Sequence, residues 1–446
     1  MRANAVAVLI TPFRWLGYAR RAVRELLDRV GITVREAGYM RKIKVGVVYP
    51  VDPVGSVIGG IDSFIRGLIK YAPNDIEYVV YGATTDAETR PVRRWSDCVL
   101  GTRACKFFPV MKMSGSGRQP RIPATLTYEL SSILLRLPEL GDCDILESHR
   151  IEHFLLRGAR KPVNLFLHQN MAVLKQGGSD IRWRIVPELY RLLEKKVLYK
   201  ASSVHCVRED AVNSYKGAFP SIGDKFRFQS TWMDPDIFYP VESSERAELR
   251  ARLSRELLIP DNRKWLVAVG RLDYQKDPLL MMKALQTAVR RQPEIHLIWV
   301  GDGVLRDDVL KVAHETGLSG SITLTGLLNP DQVADVNRAA DMFVMSSAYE
   351  GMPIALIEAM ACGLPVVTTC VGEVRRLVNP GYNGEVCAAG DAIALAAAIE
   401  RGVRALGRYS GDPCIESANR YTPQKVLEPV YANYRRLAAD MEENSA

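Results

Sequence analysis

From Lys42 onward, short apolar strands alternate with helical segments, and the alternation breaks once and then starts again. Ile43-Lys-Val-Gly-Val-Val-Tyr49 reads as a strand, Ile61 to Tyr71 as a helix, and Ile76 to Tyr81 as a second strand. Asp144 to Glu147, Val163 to Leu167 and Ser203 to Val207 continue the series, each followed by a helical pattern. Asp234-Pro235 and Pro240 then punctuate a linker. Trp265 to Val269, Ile295 to Val300, Ser321 to Thr325, Asp341 to Met345 and Val366 to Thr368 form a second set of strands. This rhythm builds a parallel doubly wound sheet with helices on both faces. Two such sheets in sequence predict an α/β fold of two Rossmann-like domains facing a central cleft. A length of 446 residues agrees, because it exceeds what one core accommodates.

The expected divisions are residues 1–41, 42–240, 241–410 and 411–446. In the last, a helix from about Pro423 to Ala439 is expected to cross back to the first domain. Residues 84–122, basic and with Gly115 and Gly117 among Ser and Met, read as an irregular, mobile loop.

A hydrophobic share of 47% and a charged share of 25% belong to a soluble globular chain. No apolar run reaches the length of a membrane span, and no secretory leader pattern stands out. Eight cysteines are scattered without a CxxC pair, which points to reduced thiols in a cytosol. Of the net charge of +8, residues 1–41 carry +5, from eight Arg against Glu25, Asp28 and Glu36. Trp15, Ala19, Ala22, Leu26 and Val30 recur there at helical spacing between Arg20, Arg21 and Arg24. A basic amphipathic helix of this kind lies on an anionic membrane surface. A helix packed on the domain, a disordered tail and a start at Met40 are the alternatives. A nucleic-acid partner is not expected, because the rest of the chain is nearly balanced and offers no basic-aromatic platform.

Glu350-Gly-Met-Pro-Ile-Ala-Leu-Ile-Glu358 follows the strand ending at Met345. Pro353 is suited to the first turn of a helix, and Gly363 to its end. Glu350 then falls on the strand-to-helix loop and Glu358 on the helix. The free N–H groups at such a helix start favour an anion, at the carboxyl end of the sheet where ligands of open α/β folds bind. A carboxylate on that helix suits ribose hydroxyls and one on the loop suits sugar hydroxyls. Two solvated glutamates on an ordinary turn are the plain alternative.

Gly270-Arg-Leu-Asp-Tyr-Gln-Lys-Asp277 follows the first strand of the second domain. Arg271 and Lys276 there suit a diphosphate, and can take leaving-group charge where no metal cluster is evident. Gly301-Asp-Gly303 lacks the third glycine of a dinucleotide fingerprint, since Arg306 stands in its place, and no Walker A sequence occurs. His149-Arg-Ile-Glu-His153 matches an HxxEH zinc pattern, but a strand directly before it puts His149 on a loop rather than within a helix. No metal site is expected. His168 ends an apolar strand at the mouth of the cleft, where a histidine is more often structural than catalytic.

Together these residues resemble the retaining glycosyltransferases of family 4, the group 1 glycosyl transferases with the GT-B fold. The likeness spans roughly residues 42–440. Glu350 to Glu358 is similar to that family's Glu-x7-Glu motif, and Gly270-Arg271 with Lys276 to its donor-diphosphate site. Gly59-Gly60-Ile61 resembles its glycine-rich first loop, though Asp62-Ser63 stand where Glu-Arg often follows. Asp234-Pro-Asp-Ile-Phe-Tyr-Pro240 resembles its interdomain segment.

The resemblance implies an acceptor domain over 42–240 and a nucleotide-sugar donor domain over 241–410. It implies that Glu358 binds the ribose, that Glu350 faces the donor sugar, and that Arg271 and Lys276 hold the diphosphate. Backbone groups near Met352, Pro353 and Ile354, with Gly59 and Gly60, complete a phosphate cradle. His168 matches a histidine beside the transferred sugar. The co-substrate is a UDP or GDP sugar, with no further cofactor, and the reaction retains configuration without a metal. The acceptor is a glycan or a lipid-linked molecule in glycolipid or surface polysaccharide synthesis. The expected location is the cytoplasm, with a peripheral contact at the inner membrane face open through residues 1–41. A GT-B sugar-nucleotide epimerase or hydrolase, and a catalytically silent GT-B binding subunit, are the competing readings.

Overall fold

A computed structural model describes residues 41–55, 60–113, 127–128, 131, 137, 140–151, 161–168, 187–409 and 411–443. The amphipathic pattern of residues 1–41 therefore lies outside the described residues, apart from Arg41. Ile43–Ala446 forms one unit built on two sheets.

The first sheet contains β1 (Ile43–Val48), β2 (Ile76–Thr84), β3 (Ser96–Leu100), β4 (Arg103–Lys112), β5 (Ile145–Ser148), β6 (Val163–Leu167), β7 (Ser203–Cys206) and β8 (Phe226–Phe228). Their order across the sheet is β3-β4-β2-β1-β5-β6-β7-β8, all parallel except β3. Side chains alternate between two cores. Val45 and Val47 of β1 pack with Ile65 and Leu68 on one face, while Val163, Leu165 and Leu167 of β6 pack with Leu198 and Val212 on the other. A period of two buried on both faces is what a covered parallel sheet requires.

The expected irregular loop over 84–122 is corrected in part. Ser96–Leu100 and Arg103–Lys112 form an antiparallel hairpin at the sheet edge, with Leu100 opposite Arg103 and Ser96 opposite Phe107. Gly101 supplies the positive φ, 60°, at the first position of the two-residue turn. The basic residues hid a buried apolar run, Phe107-Phe108-Pro109-Val110, at the centre of β4. Charge in this second strand from the edge is compatible with pairing, because alternate side chains of its first half, such as Lys106, face water. Gly115 and Gly117 lie outside the described residues.

The second sheet contains β9 (Lys264–Val269), β10 (Ile295–Val300), β11 (Ile322–Gly326), β12 (Met342–Met345), β13 (Val366–Thr369) and β14 (Gly384–Cys387). All its pairings are parallel, in the order β11-β10-β9-β12-β13-β14. Trp265 and Val267 face one core, and Leu266 and Ala268 the other. The strand order reverses between β9 and β12, which makes the carboxyl ends of these two strands the place for a ligand.

The final helix, Pro423–Glu443, does return to the first sheet. Val426, Val430 and Tyr434 recur every four residues and share the core of Val45, Val47 and Phe64. Tyr431 donates to the Leu68 carbonyl at 2.9 Å, and Arg435 grips Asp75 at 2.6 Å. Among the described residues, no helix is long and apolar enough to cross a membrane.

Candidate nucleotide-sugar site

Loops at the carboxyl ends of β9, β10, β12 and β13 lock together through their backbones. Gly301, after β10, has φ 138°, and a Cβ there would overlap the Gly270 carbonyl oxygen after β9. Any side chain at 301 is excluded on both counts. Trp299 Nε1 donates to the same Gly270 carbonyl at 2.9 Å. After β12, Ser346 Oγ lies 2.9 Å from the Lys276 carbonyl and 3.0 Å from that of Asp277, and Ala348 N donates to Gln275 O at 2.8 Å. After β13, Glu373 N donates to the Gly351 carbonyl at 3.0 Å.

The loop after β9 folds on itself as well. Asp273 Oδ1 accepts from the Gln275 and Lys276 amides, each at 3.1 Å. Asp277 adopts a left-handed conformation, φ 45° and ψ 62°, and caps the helix Pro278–Arg291 by accepting from Leu280 N. Asp tolerates that region better than most residues, and the strain is held by the bonds around it.

This scaffold brings Lys276 against Glu350. Lys276 Nζ lies 2.6 Å from Glu350 Oε1, and Ser347 Oγ donates to the same oxygen at 2.8 Å. Gln275 Nε2 sits 3.4 Å from the second carboxylate oxygen. Glu350 is buried, so its charge is matched almost wholly inside the protein. Arg271 behaves differently. Its side chain is exposed and lies 3.2 Å from Asp273 Oδ2. The two cations of the loop are thus one held and one extended, on the same strand end.

Glu358 is on the helix Ile354–Ala361, as the sequence spacing implies. Its carboxyl is pushed up to about 7, first by burial, then by the Asp234 charge, against the lowering effect of Lys276. The residue keeps a partly exposed surface, so the desolvation comes from cover by neighbouring atoms rather than full enclosure. Pro353 is corrected by one position. It is the cap, with ψ 101°, and Ile354 is the first helical residue. The ring fixes only φ, so proline is equally at home in the extended residue before a helix. Met352 is half-buried, Pro353 buried and Ile354 exposed.

The first sheet turns its own carboxyl ends toward this site. Arg208, just past β7, donates to the Glu350 carbonyl at 3.3 Å. Glu209 pairs with Arg376, and its amide lies 3.4 Å from Glu373 Oε1. Lys70 and Tyr71 reach Asp234 of the linker, each at 2.6 Å. Gly60 opens the helix Gly60–Lys70, whereas Gly59 lies outside the described residues.

His168 follows β6. Its Nε2 lies 2.9 Å from His149 Nδ1, and its ring meets Phe64 edge-on at 5.2 Å. His149 Nε2 lies 2.8 Å from Glu147 Oε1, so His149 faces a carboxylate and a histidine. Glu152 and His153 of the HxxEH pattern lie outside the described residues. Sequence reasoning passed over Glu147, Arg208 and Ser347. A signal for Glu147 was present: it stands two residues before His149 at a strand end, and that spacing puts both on one face.

Residues 250–405 match the glycosyl transferases group 1 family. A D-inositol 3-phosphate glycosyltransferase of Corynebacterium urealyticum is 27% identical over 273 residues, covering 58% of this chain and 62% of that relative. The chain thus spans less than two thirds of that relative's length. The fold is similar to sucrose-phosphate synthase from Thermosynechococcus elongatus, with a TM-score of 0.70 and 22% identity over 90% of this chain and 100% of that one. It is also similar to Anabaena HepE in complex with UDP, with a TM-score of 0.64 and 16% identity over 88% of this chain and 100% of that one. The match to the glycosyl transferases group 1 family thus covers residues 250–405, about a third of the chain, and the fold of the chain is GT-B.

Proposed function

We propose that this protein is a retaining glycosyltransferase that moves a sugar from a nucleoside diphosphate to a glycan or lipid-linked acceptor. The observation that carries the reading is the Lys276–Glu350 pair at the switch point of the second sheet, with Glu358 within its electrostatic reach. In the proposed complex Glu358 accepts from the ribose hydroxyls. Glu350 faces the donor sugar, and Lys276 bridges it to the diphosphate. Arg271 swings in from solvent, and the backbone at Met352 to Ile354 with Gly59 and Gly60 completes the cradle. A neighbour of the same fold was solved with UDP, which supports a nucleoside diphosphate here.

Transfer then breaks the anomeric C–O bond, its electron pair leaving on the diphosphate. The acceptor oxygen forms its bond from the same face, and its proton passes to the leaving phosphate oxygen. Lys276 and Arg271 stabilise charge that grows on the diphosphate in the transition state, so they act on rate more than on binding. His168 stands beside the transferred sugar. No nucleophilic carboxylate is needed, unlike double displacement by retaining glycosidases.

NMR of the product from a defined UDP or GDP sugar and an acceptor panel tests this. A new linkage of unchanged anomeric configuration supports it. Donor epimerised or hydrolysed without acceptor contradicts it, and so does nucleotide binding with no turnover across the panel. The basic residues 1–41 are the proposed contact with an anionic membrane. Sedimentation with anionic vesicles should fall when residues 1–39 are removed, and unchanged binding and lipid-acceptor activity would refute that contact.

A further inference from the structure

Beneath His168 runs a chain of polar groups that the transfer reaction does not use. Tyr434 of the final helix donates to Glu147 Oε2. Glu147 Oε1 lies 2.8 Å from His149 Nε2, and His149 Nδ1 lies 2.9 Å from His168 Nε2. Glu147 and His149 are fully enclosed. Phe166 stacks on His149 at 4.9 Å and Phe64 meets it edge-on at 5.7 Å, so the enclosed His149 imidazole cannot turn over without repacking the core.

Each contact fixes the next, because a neutral imidazole has one donor and one acceptor nitrogen. With Glu147 ionised, His149 donates from Nε2, so its Nδ1 accepts from His168 Nε2–H. His168 is then left with a bare Nδ1, an acceptor. With Glu147 protonated on Oε1, its O–H donates to His149 Nε2. His149 Nδ1–H donates to His168 Nε2, and His168 carries its proton on Nδ1, a donor. The two states differ by one proton. It enters at His168 Nδ1 and displaces one proton along each hydrogen bond until Glu147 is neutral.

We propose that Glu147 and His149 are positioning residues that set whether His168 offers a hydrogen-bond acceptor or donor to a ligand in the cleft. The consequence for transfer rests on the role proposed above for His168. The tautomer relay itself does not.

The surroundings put the switch within reach. Burial pushes the Glu147 carboxyl up to about 8, and Tyr434 opposes that rise. Burial also holds His149 down at about 3 and His168 well below its usual value, so both rings are neutral and act through tautomers. Among the described residues, the other titratable groups facing the chain are Tyr49 after β1, Tyr78 on β2, Tyr431 on the final helix, His205 on β7 and Arg150 beside His149. The Tyr78 and Tyr431 hydroxyls are held above their ordinary values and His205 near 3, whereas Glu147 titrates near 8.

The test is nitrogen NMR of histidine-labelled full-length protein without ligand, on both sides of pH 8. The chain has only six histidines, which makes assignment tractable. The expected result is that the protonated nitrogen of His149 and His168 exchanges between Nδ1 and Nε2 through that range, and that Glu147→Gln abolishes the exchange. Tyr434→Phe, which removes a donor to the carboxylate, should move the midpoint upward while preserving the exchange. A wild-type pattern that is the same on both sides of pH 8, or a midpoint unmoved in Tyr434→Phe, would overturn the relay. Transfer by His168→Ala separates the two readings: full activity there, with the exchange intact in wild type, refutes the role of His168 alone.

Discussion

Lys276 and Glu350 stand 2.6 Å apart although seventy-four positions separate them in sequence, and both leave the carboxyl ends of neighbouring strands, β9 and β12. The lysine keeps some solvent contact while the carboxylate is buried. Such a pair is unequal. Loss of the lysine strands a buried charge, whereas loss of both charges removes the problem.

Lys276→Ala should therefore do two things. Transfer should fall about 100-fold or more, the usual scale for losing a charge stabiliser in the transition state. Stability should fall as well, by an amount bounded by the ~3–5 kcal/mol typical of breaking a fully buried pair. Lys276→Met combined with Glu350→Gln should recover most of the stability and none of the activity. Denaturant midpoints and initial rates check both, and a double variant as unstable as Lys276→Ala would argue against the unequal pair.

Gly301→Ala probes the scaffold rather than the chemistry. Its Cβ would overlap the Gly270 carbonyl at a φ that side chains rarely adopt. A cost of ~1–3 kcal/mol from backbone strain alone is expected, with further loss from displacing the Arg271 loop. Nucleotide affinity should fall alongside stability. A variant with wild-type melting and affinity would contradict the interlocked loops.

Nucleotide binding should depend on pH through Glu358. Its carboxyl titrates near 7 because burial disfavours the charge. As pH falls through 7 the acceptor is lost, and affinity should weaken by up to about tenfold per unit. Glu358→Gln should flatten that profile. Stability runs the other way. The folded value lies above the ordinary 4.5, so the stabilisation of the neutral form is present below 4.5 and is lost as pH rises to about 7. The Gln variant should gain on wild type across that window. Titration calorimetry and melting curves at several pH values check the two slopes.

The final helix is a structural strap of the first sheet. Leu427 is fully buried among residues of β1, β2 and β5. Leu427→Ala should cost ~2–5 kcal/mol, the range for a buried leucine. Circular dichroism melts should show it, and a shift near zero would mean the helix is dispensable to the core.

The central strands were legible because each is a dense apolar run between turn residues, as in Val163–Leu167 and Ile295–Val300. β4, β8 and β14, at or beside the sheet edges, were not. β4 mixes Arg103 and Lys106 with its buried face, β8 is three residues long, and β14 begins with glycine. In the site, Glu350, Glu358 and the Arg271–Lys276 loop were marked by local spacing around glycine and proline. Their partnership was not, because Lys276 and Glu350 meet only through the β9–β12 pairing. His149, two residues on, gave Glu147 a local signal, but the return of Tyr434 to it from the far end of the chain had none. Contacts so distant in sequence leave no local pattern to read.

Lys276, Glu350 and Glu358 are proposed to form a nucleoside-diphosphate site. The most direct measurement is thermal unfolding of wild type and Glu358→Ala with UDP, GDP, ADP or CMP, since a ligand of the folded state raises the melting temperature by mass action. UDP or GDP should stabilise wild type, and the shift should be lost or sharply reduced in the variant. Equal shifts in both proteins, or none with any nucleotide, would contradict it.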